Sequence, residues 1–355
     1  MAIGPLTLAG NLFLAPVAGY TDRAFRTLCV ELGADFSFTE LISCEALRRK
    51  PALYGLGPDA APGGPERSAQ AGLSCRGGAA PYAIQVFAAE SEALYEAVSL
   101  LAPLRPDALD INAGCPVPKV VKTGAGAALM RDPALLGRMV GAAVRASERF
   151  LGGIPVTVKL RSGWDAGSIN YRDCARAAAS EGAAMLSLHP RTRAQGYAGE
   201  SDWALIADLA AVQRLPVTGS GGLFRPEDAA RMLRETGCAA VMFARGAAED
   251  PFIFPAARAL LRGVPWQAPS AEERIAAAFR LLRLKAADCG ERRACLEMRK
   301  QFCALTRGAL SPAALASGVR LSGAELRTRL VHAETIADYE AIMAPTRRPR
   351  GSYTS

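Results

Sequence analysis

Cys115 follows Asn112 and Gly114 directly after the apolar run ALDIN, and Pro116 fixes the turn behind it. A buried cysteine is commonly inert packing. One in a Gly-Pro loop is better placed to react, as a thiolate nucleophile or as a thiol acid. Lys159 interrupts the apolar segment VTVKL. Lysine is rarely buried without a partner, so it either snorkels to solvent or sets its ammonium beside a developing negative charge, such as a reduced flavin ring. His189, one of only two histidines, ends MLSLH, with Arg191 two residues on. It is either structural or part of a site; His332 falls in a helical pattern and reads as structural or exposed. Gln85, in YAIQVF, offers an amide to the edge of a heterocycle. Two turns, Ser220-Gly221-Gly222 and Ala244-Arg245-Gly246, offer backbone N–H groups and an arginine of the kind that hold phosphate. A tight turn alone would account for either; the two together point to a phosphorylated ligand.

These residues need a frame. Eight short apolar runs alternate with amphipathic stretches: Asn11–Val17, Asp35–Thr39, Tyr82–Phe87, Ala108–Asn112, Pro155–Leu160, Met185–His189, Pro216–Gly219 and Ala239–Ala244. Helices are predicted over Asp22–Leu32, Ser91–Leu101, Tyr171–Glu181 and Pro226–Glu235. The runs are apolar at both alternating positions, as strands buried on two faces should be. Eight such units in this length match an α/β fold of the (β/α)8 TIM-barrel type. A doubly wound sheet is the alternative, but its first turn usually carries a glycine fingerprint, and here that turn reads APVAGYTD. Barrel active sites lie at the C-terminal ends of the strands. Pro16-Val17-Ala18, Gln85, Asn112, Cys115, Lys159, Arg161, His189, Arg191 and the two glycine turns all fall at that end.

The 355 residues leave room for more than the barrel. Residues 1–265 make the barrel, interrupted at 50–81 by a Gly/Pro-rich insertion without a clear period, read as a surface loop. From Ser270 the pattern is helical only, in AEERIAAAFRLLRLKAADCG, CLEMRKQFCALTRGAL and GAELRTRLVHAETIADYEAIM. This small all-helical domain spans 270–345, and the tail 346–355 reads as disordered. Of the +8 formal charge, +6 falls after residue 269, where 15 basic and 9 acidic residues lie. A basic segment beside a near-neutral body suggests an anionic partner such as nucleic acid. Only six of the 42 basic residues are lysine, however, and an Arg-rich coding bias would give the same excess. Nine cysteines without CxxC pairs fit reduced thiols in the cytoplasm better than disulfides or a zinc site. No apolar run is long enough to span a membrane, and no basic leader precedes the first strand. No metal, no membrane and a monomer are the expectations.

Longer runs carry a resemblance. APVAGYTDRAFR at Ala15–Arg26, DINAGCPVPKVVKTGAGAALMRDP at Asp110–Pro133 and VKLRSGWD at Val158–Asp165 come first. LHPRTRAQGYAGESDW at Leu188–Trp203, TGSGGLFRPEDAARML at Thr218–Leu233 and VMFARGAAEDPFIF at Val241–Phe254 follow, with LEMRKQFCALTRG at Leu296–Gly308 in the helical part. In order and spacing the chain resembles the tRNA-dihydrouridine synthases, most closely the bacterial B-type. The resemblance implies an FMN-bound barrel and a helical tRNA-binding domain. NADPH would reduce the flavin, which would reduce the C5=C6 bond of particular uridines, with Cys115 protonating C5. It implies flavin contacts from Pro16, Val17, Ala18, Gln85, Lys159 and His189, and a phosphate clamp from Ser220, Gly221, Gly222, Ala244 and Arg245. Asn112, Arg161 and Arg191 would lie near the uracil and its nucleotide, and Arg299 and Lys300 in the basic helical motif would meet tRNA. Ser220-Gly221-Gly222 stands where the family often has Asn-Gly-Asp, and Ala244-Arg245 where it usually has Gly-Arg. Two other readings remain: an FMN barrel reducing a small pyrimidine such as dihydroorotate, and a tRNA-binding scaffold without catalysis. The basic helical extension argues against the first. The joint presence of Cys115, Lys159, His189 and Arg161 argues against the second.

Overall fold

The computed structural model describes residues 1–54, 56, 80–307 and 323–344. The predicted loop at 50–81 and the predicted tail therefore lie mostly or wholly outside the described residues. Eight parallel strands form a closed barrel: β1 (Leu12–Leu14), β2 (Phe36–Phe38), β3 (Tyr82–Phe87), β4 (Ala108–Ala113), β5 (Val156–Arg161), β6 (Met185–His189), β7 (Val217–Ser220) and β8 (Ala240–Phe243). Closure is by β8 pairing with β1, Phe243 opposite Leu14. All eight correspond to the apolar runs of the sequence, and the TIM-barrel expectation holds.

The strands are polarised along their length. Inside the barrel, Phe13, Phe36, Phe38, Ala83, Ala108, Met185, Ala240 and Met242 pack into one apolar cluster. Phe36 meets Phe13 and Phe38 edge-on, with ring centroids 5.3 and 4.9 Å apart. A small antiparallel hairpin, Ala2–Ile3 with Leu6–Thr7, adds Ile3 to this floor, and Leu8 follows from the next residue. Further along the same strands the buried residues turn polar: Gln85, Asp110, Asn112, Thr157, Arg161, Ser187, His189 and Ser220. A dry floor thus supports a polar upper layer at the end where barrels keep their sites. Alternate residues face the helices instead; Phe243 stacks edge-on against Phe254 at 5.4 Å.

Helices run over Arg23–Glu31, Ser91–Ser99, Tyr171–Ser180 and Pro226–Thr236, within two residues of the predicted bounds. Four more, Cys44–Arg49, Pro133–Phe150, Ala204–Val212 and Ile253–Arg262, join the outer layer.

The chain divides into two compact units, the first of residues 1–247 and 252–266, the second of 248–251 and the residues from 267 on. In the second, Ala271–Cys289 starts at a reciprocal cap between Ser270 and Glu273 and ends at Gly290. Glu291–Leu305 follows. Phe302 packs edge-on against Phe279 at 5.3 Å and Tyr339 at 4.9 Å. Lys285 is buried, its ammonium 3.9 Å from Glu297. The stretch read as one helix, GAELRTRLVHAETIADYEAIM, is two: Gly323–Leu330 and Ile336–Met343. The break arises because Thr335 and Asp338 cap each other's backbone and start a new helix there.

Phe36→Ala should cost about 3–5 kcal/mol, because the floor around it is too tightly tied to collapse into the cavity. A denaturant titration of both proteins measures this; a loss below 1 kcal/mol would contradict the packing described.

Candidate functional site

At the C-terminal end of the barrel lies a cavity of about 330 Å³. Pro16, Val17, Ala18, Gln85, Asn112, Cys115, Lys159, Arg161, His189, Ser220, Gly221, Gly222, Ala244 and Arg245 all line it. The predicted site residues of the barrel therefore converge, apart from Arg191, which stands behind His189. Its Nη1 is 3.1 Å from His189 Nε2, and its Nη2 donates to the Gly199 carbonyl.

The Cys115 loop is pinned from several sides. Asn112 Oδ1 accepts from the Gly114 and Cys115 N–H groups at 3.1 and 2.8 Å. Arg161 Nε donates to the Gly114 carbonyl at 2.7 Å, and the Ala127 N–H to the Cys115 carbonyl at 3.1 Å. Gly126 holds a left-handed backbone (φ 61°), and a Cβ there would stand 2.9 Å from the Cys115 carbonyl oxygen. Burial pushes the Cys115 thiol up, against the opposing pull of the Val117 backbone, Arg161 and Lys159. It is therefore a thiol at neutral pH, which suits an acid more than a nucleophile.

Lys159 sits opposite Asn112 on β4 and Ser187 on β6. Burial lowers it to about 8, helped by Arg161 and opposed by Asp110 and Cys115. His189 is driven down to about 2 by burial and by Lys159, Arg161, Arg191 and Arg245 around it. It is neutral. A guanidinium only donates, so Nε2 accepts from Arg191 and the ring proton rests on Nδ1.

After β7, Gly221 and Gly222 both hold left-handed backbones, φ 98° and 78°. A Cβ on Gly221 would stand 2.7 Å from Ser201 Oγ and 3.2 Å from the His189 ring. The Gly221 carbonyl accepts from Trp203 Nε1 at 2.9 Å. Arg245 lies over the rings of Tyr197 and Phe224, 5.2 and 4.9 Å from their centroids. Both rings are exposed at the cavity mouth. Ala244, which lines the cavity, is partly buried against the apolar floor. The residues fit a phosphate-bearing heterocycle: Lys159, Arg161 and Arg245 line a cavity, the turn after β7 leaves no room for a side chain, and the buried Ser187 Oγ has no hydrogen-bond partner.

Some residues escaped the sequence reading. Asp110, wholly buried, accepts from Gln85 Nε2 at 2.6 Å and Thr157 Oγ1 at 2.5 Å. Its position two before Asn112 on a strand was the available signal, since it shares that face. Tyr197, Phe224 and Ser201 sit in loops without a period and gave none.

Arg299 and Lys300 belong to the second unit. Arg299 is half-buried and donates to the Ala333 carbonyl at 3.3 Å, whereas Lys300 is exposed. Among the described residues no group of three or more His, Cys, Asp or Glu side chains could hold a metal ion, and no helix is long and apolar enough to cross a membrane.

The sequence model of a family described as dihydrouridine synthase matches residues 13–318. A probable tRNA-dihydrouridine synthase of Treponema pallidum is 41% identical over 97% of this chain and 95% of its own length. The tRNA-dihydrouridine synthase B of Xanthomonas campestris is 38% identical over 72% of this chain and 70% of its own. A probable tRNA-dihydrouridine synthase of Mycobacterium tuberculosis is 36% identical over 85% and 76%. Among solved structures, a 2-naphthoyl-CoA reductase complex aligns with TM-score 0.53 at 12% identity, over 75% of this chain and 52% of its own. The histamine dehydrogenase of a Rhizobium species aligns with TM-score 0.53 at 13% identity, over 85% and 50%. The chain thus spans about half of each of those two longer proteins, and they share its barrel.

Gly221→Ala should destabilise the barrel by roughly 1–2 kcal/mol from the left-handed backbone alone. In a Ser201→Gly background, which opens the space, part of the remaining loss should return. Thermal denaturation of the three variants tests this; an unchanged midpoint for Gly221→Ala would refute the close approach.

Proposed function

The chain belongs to the dihydrouridine synthase family, and on that premise we propose that it reduces particular uridines of tRNA to 5,6-dihydrouridine at the barrel cavity, with FMN bound there. NADPH and one proton are consumed, the C5=C6 bond is saturated and NADP⁺ leaves. The observation that carries the reading is the convergence of Cys115, Lys159, Arg161 and His189 on one cavity beside the glycine turn after β7. FMN, when bound, supplies the two-electron reduction. The phosphate is assigned to the turns after β7 and β8, with Arg245 as its cation and the Gly221 and Gly222 backbone as its cradle. Pro16, Val17, Ala18 and Gln85 would hold the ring, and Ser220 and Ala244 its phosphate side. Lys159 sets a positive charge in the cavity wall, and His189, neutral, offers Nδ1–H.

Cys115 is assigned the proton delivered to uracil C5. A thiol held protonated by burial can give up that proton and regain it from water between turnovers. Asn112 and Arg161 hold the loop that presents it and lie where a base would enter, and Arg191 braces His189. Exposed Tyr197 and Phe224 at the mouth suit a nucleotide substrate, because rings stack on any base. The second unit is assigned to tRNA, with exposed Lys300 a phosphate contact and Arg299 a half-buried support; the basic excess after residue 269 favours this. A cytoplasmic monomer is consistent with that role.

Purified protein given FMN, NADPH and unmodified tRNA should form dihydrouridine at defined positions, read by mass spectrometry of the digested RNA. Cys115→Ala should keep NADPH oxidation and lose about 10²–10⁴-fold of single-turnover uridine reduction. Wild-type single-turnover rates in that variant would remove Cys115 from its role.

FMN affinity should also depend on pH. Lys159 is cationic below about 8 and neutral above it. An anion-bearing ligand is held better by the cation, so binding should weaken as pH rises through about 8, approaching about tenfold per unit for one linked proton. Lys159→Met should abolish that limb. Superimposable pH profiles for the two proteins would count against the assignment.

A further inference from the structure

Asp110 is not in the wall of the cavity, yet one continuous chain of side-chain hydrogen bonds leads from it to the Cys115 loop. Its carboxylate accepts from Gln85 Nε2 at 2.6 Å. Gln85 Oε1 then accepts from Asn112 Nδ2 at 3.0 Å. Asn112 Oδ1 in turn accepts from the backbone N–H groups of Gly114 and Cys115 at 3.1 and 2.8 Å. Two of the links are primary amides, which fit their space equally well in either orientation. What selects the orientation is the chemistry of the two ends. An ionised carboxylate only accepts, so Gln85 must turn its NH₂ toward it. Backbone N–H groups only donate, so Asn112 must turn its oxygen toward them. The two demands agree, and both amides are locked. Reversing Gln85 would set two acceptors against each other at 2.6 Å; reversing Asn112 would set its NH₂ against two donors.

We propose that Asp110 is a positioning residue: by fixing the orientation of Gln85 and, through it, of Asn112, it holds the loop that aims the Cys115 thiol. This rests on the reading of Cys115 as the proton donor for its catalytic meaning, and on the hydrogen-bond chain alone for its structural one. The chain requires an acceptor at position 110, not a charge. Thr157 Oγ1 also donates to Asp110 at 2.5 Å, and a hydroxyl can turn to accept instead. Asp110→Asn therefore retains the chain: its oxygen serves Gln85 and its NH₂ serves Thr157. Asp110→Leu, branched at the same carbon, offers no acceptor and releases it.

The test is the rate at which iodoacetamide alkylates Cys115 in the folded full-length chain, quantified on the Cys115 peptide by mass spectrometry. Asp110→Leu should raise that rate at least threefold as the loop loosens, and Asp110→Asn should stay within twofold of the parent. Asn112→Ala should raise it to a similar degree. In the Asn112→Ala background, Asp110→Leu should add no further increase, because the link through which it acts is already cut. A general loss of stability would instead multiply with the Asn112→Ala effect. Should Asp110→Leu not fold, Gln85→Leu cuts the chain one bond later and carries the same expectation. An unchanged alkylation rate, or a full additional increase in the Asn112→Ala background, overturns the proposal. Alkylation needs neither tRNA nor reductant, so a wild-type protein that forms no dihydrouridine would overturn the functional reading and leave this result standing.

Discussion

A side chain that points into a closed barrel must find its hydrogen-bond partners there or in whatever fills the barrel mouth. The strands pair on both edges, so no gap lets water reach the centre from the side. Below, the rings of Phe13, Phe36 and Phe38 offer no polar partners. The polar residues above them therefore depend on one another. Asp110 serves two of them at once, and Gln85, Thr157 and Asn112 take their orientation within that set. Burial raises Asp110 to about 6, while Gln85, Thr157 and Lys159 pull it back, so near neutral pH it remains an acceptor. Asp110, Gln85, Asn112 and Thr157 thus form one connected set, which reaches the Cys115 loop at the rim.

The same enclosure governs the charges. Lys159, Arg161, Arg191 and Arg245 all act on His189. Cations brought together in a poorly solvated space repel, and the structure manages the repulsion with backbone carbonyls. Arg161 donates to those of Gly114, Thr192 and Gly196, and Arg191 to that of Gly199. His189 stays neutral because burial and the four cations around it oppose a further charge there. The net field left over favours an anion, and it does so before any ligand arrives.

Legibility in the sequence followed the physics of each feature. The barrel strands are continuous apolar runs because both faces are buried, and such runs stand out against helical spacing. The rim residues were found by asking which polar groups fall at one end of every strand, and that rule needs only the strand register. It reached Lys159, His189 and Cys115, but it passed over Asp110, which lies one step deeper on β4. Tyr197 and Phe224 come from loops whose path depends on tertiary contacts, such as the Trp203 bond to Gly221, that no local pattern encodes. The helix over Pro133–Phe150, the longest among the described residues of the barrel unit, is not among those predicted from the sequence. The split of the last predicted helix shows the reverse case: the apolar spacing continues through 331–335, while a local cap at Thr335 interrupts the backbone.

The two sides of the cavity are made rigid by different means, and this bears on what each can do. Around Cys115 the loop is held by side chains from β4 and β5, Asn112 and Arg161, whose own positions are fixed in the barrel interior. After β7 the turn is held by its lack of side chains: Gly221 and Gly222 occupy left-handed conformations against Ser201, His189 and Trp203. The first arrangement presents one reactive atom at a set place, which proton transfer requires. The second presents a row of backbone groups with nothing in front of them, which suits an extended anion. In the proposed reaction the two sides serve different molecules, the turn the phosphate of the cofactor and the Cys115 loop the base that is reduced. The barrel brings them to one rim because strands β4, β5 and β7 all end there.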